Sequence, residues 1–297
     1  MKSLFLLAIS LLLLIACSPD DVPITPIEED YINIPDAIFE SILIDQGIDS
    51  EGFLDQRILR NDAEQTTHLD LSSANSGRIK DLSGIEGFVN LRVLLAGQHE
   101  IETVDLIANT LLDTLFLNAN FLSEIDLSNN PHLIYVNLEA NKISSIRGLQ
   151  KLTALKKLDV SFNYLQSFTL DNESIETLFI TDNLLDSLEI KRASNLEGLV
   201  ANRNKLSWIE LESAPLLETL LLSGNELQAI SLEKQSSLVY FYISSNLLTE
   251  LDISLNPNLV DLRVDRNPNL SCIKINAGQE IPTIRKSDDQ QLNSECN

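Results

Sequence analysis

Three histidines and three cysteines are the residues of this 297-residue chain whose chemistry is easiest to judge from their spacing. His68, His99 and His132 stand far apart, and none has a cysteine or an acid at a spacing typical of a metal site. The sequence contains no G-x-S-x-G, P-loop or H-E-x-x-H motif. A catalytic triad can form from residues distant in sequence, but a repeating pattern accounts for nearly every residue without one. We therefore expect a protein that is not an enzyme and that needs no cofactor and no metal.

The first cysteine follows a stretch that is typical of a signal peptide. Lys2 precedes an apolar run from Leu4 to Ile15, which is too short to span a bilayer comfortably. The letters LIAC, which end at Cys17, resemble the lipobox of bacterial lipoproteins. This resemblance implies removal of residues 1–16 and lipidation of Cys17, and a plain secretory signal with an incidental cysteine is the alternative. Residues 17–30 would then be the lipidated cysteine and an extended tether rich in proline and acids.

The lipid anchor would decide where the protein resides, because several acyl chains together hold a protein stably in a membrane. Position 18 is Ser rather than Asp, and by resemblance to lipoprotein sorting rules this argues against retention at the inner membrane. Asp20 and Asp21 resemble the acidic signals that send some lipoproteins to the cell surface. We expect a protein of the bacterial cell envelope that is lipid-anchored in the outer membrane. Its location in the periplasmic or the external leaflet stays open.

The remaining cysteines, Cys272 and Cys296, predict a disulfide, because an exported protein lies in an oxidising compartment. Closing a loop of this length should contribute about 3 kcal/mol by the chain-entropy argument.

The composition limits the partners. The chain carries 44 acidic and 21 basic residues, for a formal charge of −23. Such a charge repels phosphate backbones, so we expect no nucleic acid partner. Contact with a membrane would depend on the lipid anchor, and we expect a monomer. Hydrophobic residues make up 44% of the chain and aromatic residues only 5%, so the apolar material is mostly aliphatic and sufficient for a folded core.

Internal repetition is the main feature of the sequence. The pattern Leu-x-x-Leu-x-Leu-x-x-Asn occurs in eight copies, with 20 to 22 residues between successive asparagines. Two degenerate copies precede them, one that ends at His99 and one around residues 68–75. The asparagines that close the eight copies are Asn120, Asn141, Asn163, Asn183, Asn204, Asn225, Asn246 and Asn267. A turn of about 21 residues cannot bury its own leucines, so about ten turns must stack as a solenoid.

This pattern resembles the leucine-rich repeat family. The resemblance implies an α/β-type solenoid that is mostly β, with one short strand per turn in a parallel sheet on the concave side and the asparagines in an internal ladder. IPDAIFE resembles the helical N-terminal cap of bacterial internalin-like repeat proteins, which makes residues 31–65 the cap, 66–270 the repeats and 271–297 a C-terminal cap held by Cys272–Cys296. His99 replaces a ladder asparagine. The cap segment DSEGFLD lacks the acid and glutamate that a calcium loop would need at Gly47 and Ile58.

The concave sheet should carry an exposed row of apolar residues. In each strand the residue between the second and third apolar positions faces outward, because side chains alternate across a strand. A solvated sheet face should be polar, yet most of these positions are apolar or aromatic. The predicted binding residues in this row and the position two residues earlier are Leu95, Phe116, Tyr135, Phe179, Val200, Leu221, Tyr240, Tyr242 and Arg263. Lys157, Asp159, Asp261 and Arg263 are expected to form a charged rim.

These residues predict a protein- or peptide-binding module of the receptor or adhesin type. β-Propensity alone is the simpler explanation of apolar residues in strands, but a contiguous exposed stripe favours binding. A glycan-binding surface lipoprotein and a passive envelope spacer are the alternatives, and the scarcity of tryptophan favours protein over glycan.

The opposite side of the turns carries an acidic column. Five of its nine outward positions are acids, namely Asp105, Asp126, Glu189, Glu210 and Asp252. The column could bind divalent cations weakly, or it could be a solvated face that keeps the solenoid soluble.

Overall fold

The computed structural model describes residues 30–72 and 78–296. The signal peptide 1–16, Cys17 and residues 18–29 of the predicted tether lie outside the described residues. Part of the first degenerate copy, residues 73–77, lies outside them as well. No helix within the described ranges is long and apolar enough to cross a membrane.

Eleven short parallel strands form one continuous sheet, the long sheet, to which each turn contributes one strand. We number the turns 1 to 11 in chain order after these strands. The strands are His68–Asp70, Val93–Leu95, Thr114–Phe116, Tyr135–Asn137, Lys157–Asp159, Thr177–Phe179, Gly198–Val200, Thr219–Leu221, Tyr240–Tyr242, Asp261–Arg263 and Thr283–Arg285. Their order in the sheet follows the chain, so the predicted fold class, a mostly-β parallel solenoid, is confirmed.

Alternating burial along each strand explains why the sheet forms. The middle residue of every strand from turn 1 to turn 10 is buried, as Leu115 and Leu220 show. The first and third residues point away from this core. Because successive middle residues are in register, for example Leu199 with Leu220, the leucines of neighbouring turns stack on one another. This is the burial that a single turn cannot achieve alone.

The N-terminal cap closes the first end of the core. The strands Tyr31–Asn33 and Arg57–Leu59 pair antiparallel, and the helices are Ala37–Asp45 and Arg60–Gln65. Asp36 caps the first helix by accepting hydrogen bonds from the N–H groups of Ile38 and Phe39 at 2.9 and 3.1 Å. This helix buries Phe39, Ile42 and Leu43 completely or almost completely.

Shorter strands lie on the other side of the turns. Glu124–Asp126 pairs with Ser145–Arg147, and Ser167–Asp171 pairs with Ser187–Arg192, in each case parallel. A three-stranded sheet follows, formed by Leu251–Asp252, Cys272–Lys274 and Gln291–Asn293. The predicted disulfide between Cys272 and Cys296 is present and fastens the end of the chain to this sheet.

The C-terminal end is built differently from the N-terminal end. Residues 271–297, predicted as a cap, contribute the eleventh strand of the long sheet, Thr283–Arg285. Its middle residue, Ile284, is 37% exposed, and no further turn or helix within the described residues covers it. At the C-terminal end of the described residues, the core is therefore bordered by a repeat-like turn that a disulfide fastens. At the first end, a helix covers the core.

Buried asparagines join the turns. Asn120 donates from Nδ2 to the carbonyls of Leu117 in its own turn and Ala96 in the preceding turn, at 3.0 and 2.8 Å. Its Oδ1 accepts from the N–H of Ile101 at 3.1 Å. The same three kinds of contact recur at Asn141, Asn163, Asn183, Asn204, Asn225, Asn246 and Asn267. We call this series the asparagine ladder.

His99 occupies the ladder position in turn 2. Its Nδ1 accepts from the N–H of Ile79 at 3.2 Å, so Nε2 carries the proton and donates to the carbonyl of Leu71 at 2.9 Å. Burial lowers the pKa of His99 below its ordinary value, although the carbonyl of Leu71 opposes this effect. The histidine is thus a neutral structural group that bonds the preceding turn as the asparagines do, although, among the described residues, no bond to its own turn accompanies these two contacts.

Candidate binding face of the long sheet

The first and third residues of the long-sheet strands form one surface, which we call the sheet face. The predicted binding residues all lie at these positions and none of them belongs to the buried core. Phe116, Tyr135 and Tyr240 are 36%, 48% and 44% exposed. The aromatic residues that stand next to buried leucines in the sequence therefore have their rings on the open surface, as the alternation along a strand predicts.

Polar residues divide the third-position row into two apolar groups. Leu95 is in register with Phe116, and the next two positions are Asn137 and Asp159. The row then continues without interruption through turns 6 to 9 as Phe179, Val200, Leu221 and Tyr242, and reaches Arg263 in turn 10. The predicted single stripe is therefore two stripes, and the second one, which we call the apolar row, is the longer.

The first-position row beside the apolar row is shallow in its centre. Gly198 lies between Thr177 and Thr219 in register, with Lys157 and Tyr240 one strand farther out. A Cβ at Gly198 would lie 3.2 Å from the Thr177 methyl, so the site is closely fitted to glycine. Gly198 itself is buried and Val200 on the same strand is half-buried, so small residues border the middle of the apolar row on this side.

Two cations lie over aromatic rings. Lys157 Nζ is 4.9 Å from the centre of the Phe179 ring, and the Arg263 guanidinium is 4.0 Å from the centre of the Tyr242 ring. The prediction of a charged rim was thus incomplete, because these two cations contact the aromatic residues directly. Arg263 also pairs with Asp261 at 3.2 Å.

Tyr242 is tied to the same aspartate. Its hydroxyl donates to Asp261 Oδ2 at 2.8 Å. Burial, followed by the hydrogen bond and the charge of Asp261, raises the pKa of Tyr242. Tyr242 is therefore held in place by its neighbours, whereas Tyr240 beside it is more exposed.

Two acids lie together at turns 4 and 5, Asp159 on the sheet face and Glu139 two residues beyond the strand of turn 4. Burial, together with the nearby charge of Asp159, raises the pKa of Glu139. These acids stand next to the first turn of the apolar row, because Asp159 is in register with Phe179.

Sequence reasoning did not identify a third row, two residues beyond each strand, which is rich in hydroxyl and amide groups. Ser161 Oγ accepts from the N–H of Thr181 at 3.2 Å, and Asn202 Oδ1 accepts from the N–H of Ser223 at 2.9 Å. The row runs along one margin of the apolar row. The signal for it was present, since Ser, Thr or Asn stands before the last two residues of most copies.

On the side of the turns away from the long sheet, ion pairs neutralise acids of the acidic column where the shorter strands form. Asp126 pairs with Arg147 at 3.4 Å, and Asp252 pairs with Lys274 at 2.9 Å. The hydroxyl and then the N–H of Ser128 lower the pKa of Asp126 by hydrogen bonding. Within the described residues, no group of three or more His, Cys, Asp or Glu side chains is arranged to hold a metal ion. A cavity of about 450 Å³ between turns 8 and 10 lies beside the disulfide on this side.

The stacked turns, the asparagine ladder and the single strand per turn define a leucine-rich repeat solenoid. No protein-family model matches the chain, and no curated protein matches it in sequence. Solved structures of leucine-rich repeat proteins do resemble it, at an identity that shows the fold alone.

Three of these structures illustrate the likeness. The functional domain of InlJ from Listeria monocytogenes, which includes a cysteine ladder, is 20% identical with a TM-score of 0.50, over 88% of this chain and 72% of that one. Internalin C2 from Listeria monocytogenes is 20% identical with a TM-score of 0.57, over 69% and 92%. The leucine-rich repeat domain of APL1 is 20% identical with a TM-score of 0.62, over 78% and 65%.

Proposed function

We propose that the chain is a non-enzymatic protein- or peptide-binding module of the receptor or adhesin type, which binds its partner with the sheet face. A lipid on Cys17 anchors it to the bacterial outer membrane or the cell surface. The observation that carries the binding proposal is the apolar row, in which four neighbouring strands present Phe179, Val200, Leu221 and Tyr242 on a face that is not part of the core.

The size of the apolar row suits a short segment of a partner. Neighbouring strands lie about 4.8 Å apart, so four strands and their margins span roughly 20 Å. An extended peptide rises about 3.3 Å per residue, and such a span accommodates about six residues. In the adjoining hydroxyl and amide row, Ser161 and Thr181 are buried, whereas Asn202 and Ser223 are half-buried and can bond the backbone of a bound segment. The apolar row takes the side chains of that segment.

The cost of exposing these residues supports a binding role. The whole chain has a formal charge of −23, so polar residues are plentiful elsewhere. Contiguous apolar surface on a soluble protein usually marks a site of interaction. Leucine-rich repeat neighbours in the structural comparisons include internalins, and this agrees with an interaction module.

The test compares two double variants of the soluble 22–297 fragment in capture of partners from envelope extracts. Phe179→Ser with Leu221→Ser removes one end and one inner residue of the apolar row. It leaves in place Tyr242, which donates a hydrogen bond to Asp261, and the ion pair between Arg263 and Asp261. Trp208→Ser with Leu216→Ser is the matched control, because these residues are 49% and 46% exposed and lie outside the sheet face. We expect the first variant to capture at least tenfold less partner than the unmodified fragment. The control variant should capture as much as the unmodified fragment.

Each other outcome has a defined meaning. If both variants lost capture of the partner equally, or if neither lost it, the sheet face would not be the binding surface. Capture of polysaccharide alone would support the glycan alternative. Capture of nothing by the unmodified fragment would support the spacer alternative.

The anchor is tested separately on the full chain. Cys17→Ser should abolish incorporation of radiolabelled palmitate and move the protein from the membrane fraction to the soluble fraction. Continued membrane association of the unlabelled variant would count against a lipid anchor, whatever the binding experiment shows.

A further inference from the structure

Three arginines surround two buried aspartates at the C-terminal end of the sheet face. Arg263 pairs with Asp261 at 3.2 Å. Arg266 and Arg285 both pair with Asp265, at 3.4 and 3.2 Å. The side chains of Asp261 and Asp265 are only 14% and 12% exposed, whereas the arginines are about half exposed or more. We call Arg263, Arg266 and Arg285 the basic end.

The basic end differs from the other arginine clusters in the described part of the chain. Arg147 contacts two acids, Glu124 and Asp126, and Arg192 contacts Asp171 and Glu173, so acids outnumber the cation in those clusters. At the basic end, three cations share two acids. An excess of positive charge on the functional face of a chain with a formal charge of −23 is unusual. An ion pair that only joins two turns would not need the extra cation.

Each guanidinium group has at least one acidic partner, Arg263 is also held by an aromatic ring, and all three keep free donors. Arg263 stacks on the Tyr242 ring, and its bond to Asp261 raises the pKa of the arginine, so it stays charged. Asp265 also accepts a hydrogen bond from the hydroxyl of Ser244. A guanidinium has five N–H donors, and the acids use only part of this number. Side-chain entropy is therefore lost before a ligand arrives rather than on binding.

The geometry suits a carboxylate. Arg263 and Arg285 are register partners on neighbouring strands, which lie about 4.8 Å apart. Planar guanidinium groups bind carboxylates with two parallel hydrogen bonds. A carboxylate between the two strands can thus contact both arginines. The apolar row begins on the next strand, since Tyr242 is in register with Arg263.

The opposite end of the apolar row carries two acids and one cation. Asp159 precedes Phe179 in the third-position row, and Glu139 lies close enough for the Asp159 charge to raise its pKa. Lys157, on the same strand as Asp159, lies over the Phe179 ring. The sheet face therefore runs from an end where acids outnumber the cation, through the apolar row, to the basic end.

We propose that the basic end binds carboxylate side chains of an acidic peptide segment in the protein partner, and that it fixes the direction in which this segment lies. The acidic residues of the segment lie over turns 10 and 11, and its apolar residues lie over turns 6 to 9. This inference rests on the proposed function of the sheet face. We favour an acidic peptide over an acidic polysaccharide because the apolar row next to the arginines fits hydrophobic side chains.

The probe is a random library of displayed dodecapeptides, selected on the immobilised 22–297 fragment. We expect the selected peptides to share an apolar core that is followed or preceded, always on the same side, by Asp or Glu. A synthetic peptide of the selected sequence should bind Arg263→Gln/Arg285→Gln about 10- to 100-fold more weakly than the unmodified fragment, because two charge-assisted contacts are lost. Arg147→Gln/Arg192→Gln, which alters two arginines on the other side of the turns, should bind it normally.

A second variant guards against misfolding, since Arg263→Gln leaves Asp261 without its cation. Arg285→Lys keeps the charge but loses the planar fork, and we expect it to bind the peptide several-fold more weakly with an unchanged urea midpoint. Replacing the acids of the peptide by Gln or Asn should weaken binding to the unmodified fragment as much as the double Gln variant does.

The outcomes separate this inference from the proposed function. Peptides with an apolar core and no acidic preference, or an acidic preference that persists in Arg263→Gln/Arg285→Gln, would overturn the role of the basic end while leaving the apolar row intact. Failure to select any peptide would overturn both proposals. Retention on immobilised heparin that depends on Arg263 and Arg285, without any acidic peptide selected, would assign the basic end to a polysaccharide instead.

Discussion

Replacing one ladder asparagine by alanine in the middle of the solenoid should cost far more than the same change on the surface. Asn204 donates from Nδ2 to the carbonyls of Ile180 and Ala201 at 2.9 and 3.3 Å, and its Oδ1 accepts from the N–H of Leu185 at 3.1 Å. Asn204→Ala removes these contacts and a further one from Nδ2 to the Asn202 carbonyl at 3.3 Å, and the buried site gives water little access to the groups left behind.

The magnitude follows from the groups that lose their partner. Leu185 N–H becomes an unsatisfied buried donor, which costs about 1–3 kcal/mol. The Ile180 carbonyl keeps only the longer contact from Asn183, at 3.4 Å, so it adds a smaller penalty. With the cavity left by the amide, we expect the free energy of unfolding to fall by about 3–4 kcal/mol. This is a large part of the stability of a typical domain.

Asn195→Ala is the matched control. The Asn195 amide also joins two turns, donating to the carbonyl of Glu173 at 2.8 Å, but it lies on the exposed surface. We expect this change to cost less than about 1 kcal/mol. Urea unfolding of the 22–297 fragment, followed by circular dichroism, gives both values, and hydrogen exchange of the Leu185 amide gives a local measurement. A difference between the two variants of less than about 1 kcal/mol, with Leu185 still protected, would refute the role that we assign to the ladder.

Two further predictions concern His99 and the disulfide. Because burial holds the pKa of His99 below its ordinary value of 6.5, its contribution to stability is complete above that pH and is lost as the pH falls through the lower folded pKa. His99→Asn should therefore lose less stability than the unmodified chain between pH 7 and pH 5 in urea titrations, and parallel curves would contradict this. Cys272→Ser/Cys296→Ser, which opens a loop of 24 residues, should lower the free energy of unfolding by about 3 kcal/mol. It should also speed hydrogen exchange in the strand Gln291–Asn293, and unchanged exchange there would show that the last turn is stable without the disulfide.

The buried leucines and the ladder asparagines could be predicted because each depends on a fixed spacing. The alternation of Leu115, Phe116 and Leu117 is enough to place the ring on the open face, since strand geometry allows no other arrangement once the leucines are buried. The resemblance to leucine-rich repeats then supplied the sheet.

The eleventh turn could not be predicted from the same pattern. After Ile281 and Ile284, the next two key positions hold Lys286 and Asp289 where the repeat has an apolar residue and asparagine. Among the described strands, the strand of this turn pairs with only one neighbour, Asp261–Arg263, so its outer side is less constrained by packing. Gln290 takes over the ladder role there, donating from Nε2 to the carbonyl of Val264 at 3.2 Å.

A second set of buried amides was also missed. Asn130 donates to the carbonyls of Leu106 and Asn109, both at 3.0 Å, on the side of the turns away from the asparagine ladder. The other members are Asn109, Asn172, Gln235, Asn256 and Gln279. Because some turns have no member and glutamine replaces asparagine in others, the series is interrupted and was not recognised as a pattern in the sequence. Of the basic end, Arg263 was predicted as a binding residue, but its grouping with Arg266 and Arg285 was missed, since burial of the Asp261 and Asp265 side chains depends on packing between turns.

Each ladder asparagine bonds only its own turn and the one before it, as Asn225 does through Leu222 and Ala201. These contacts join neighbouring turns in the same way wherever the turns lie along the solenoid. Duplication or loss of one whole repeat during evolution would therefore leave every remaining joint intact, while the distance between the acidic and basic ends would change by about 4.8 Å. The architecture thus allows the length of the recognised segment to be adjusted in discrete steps, without redesign of the interior.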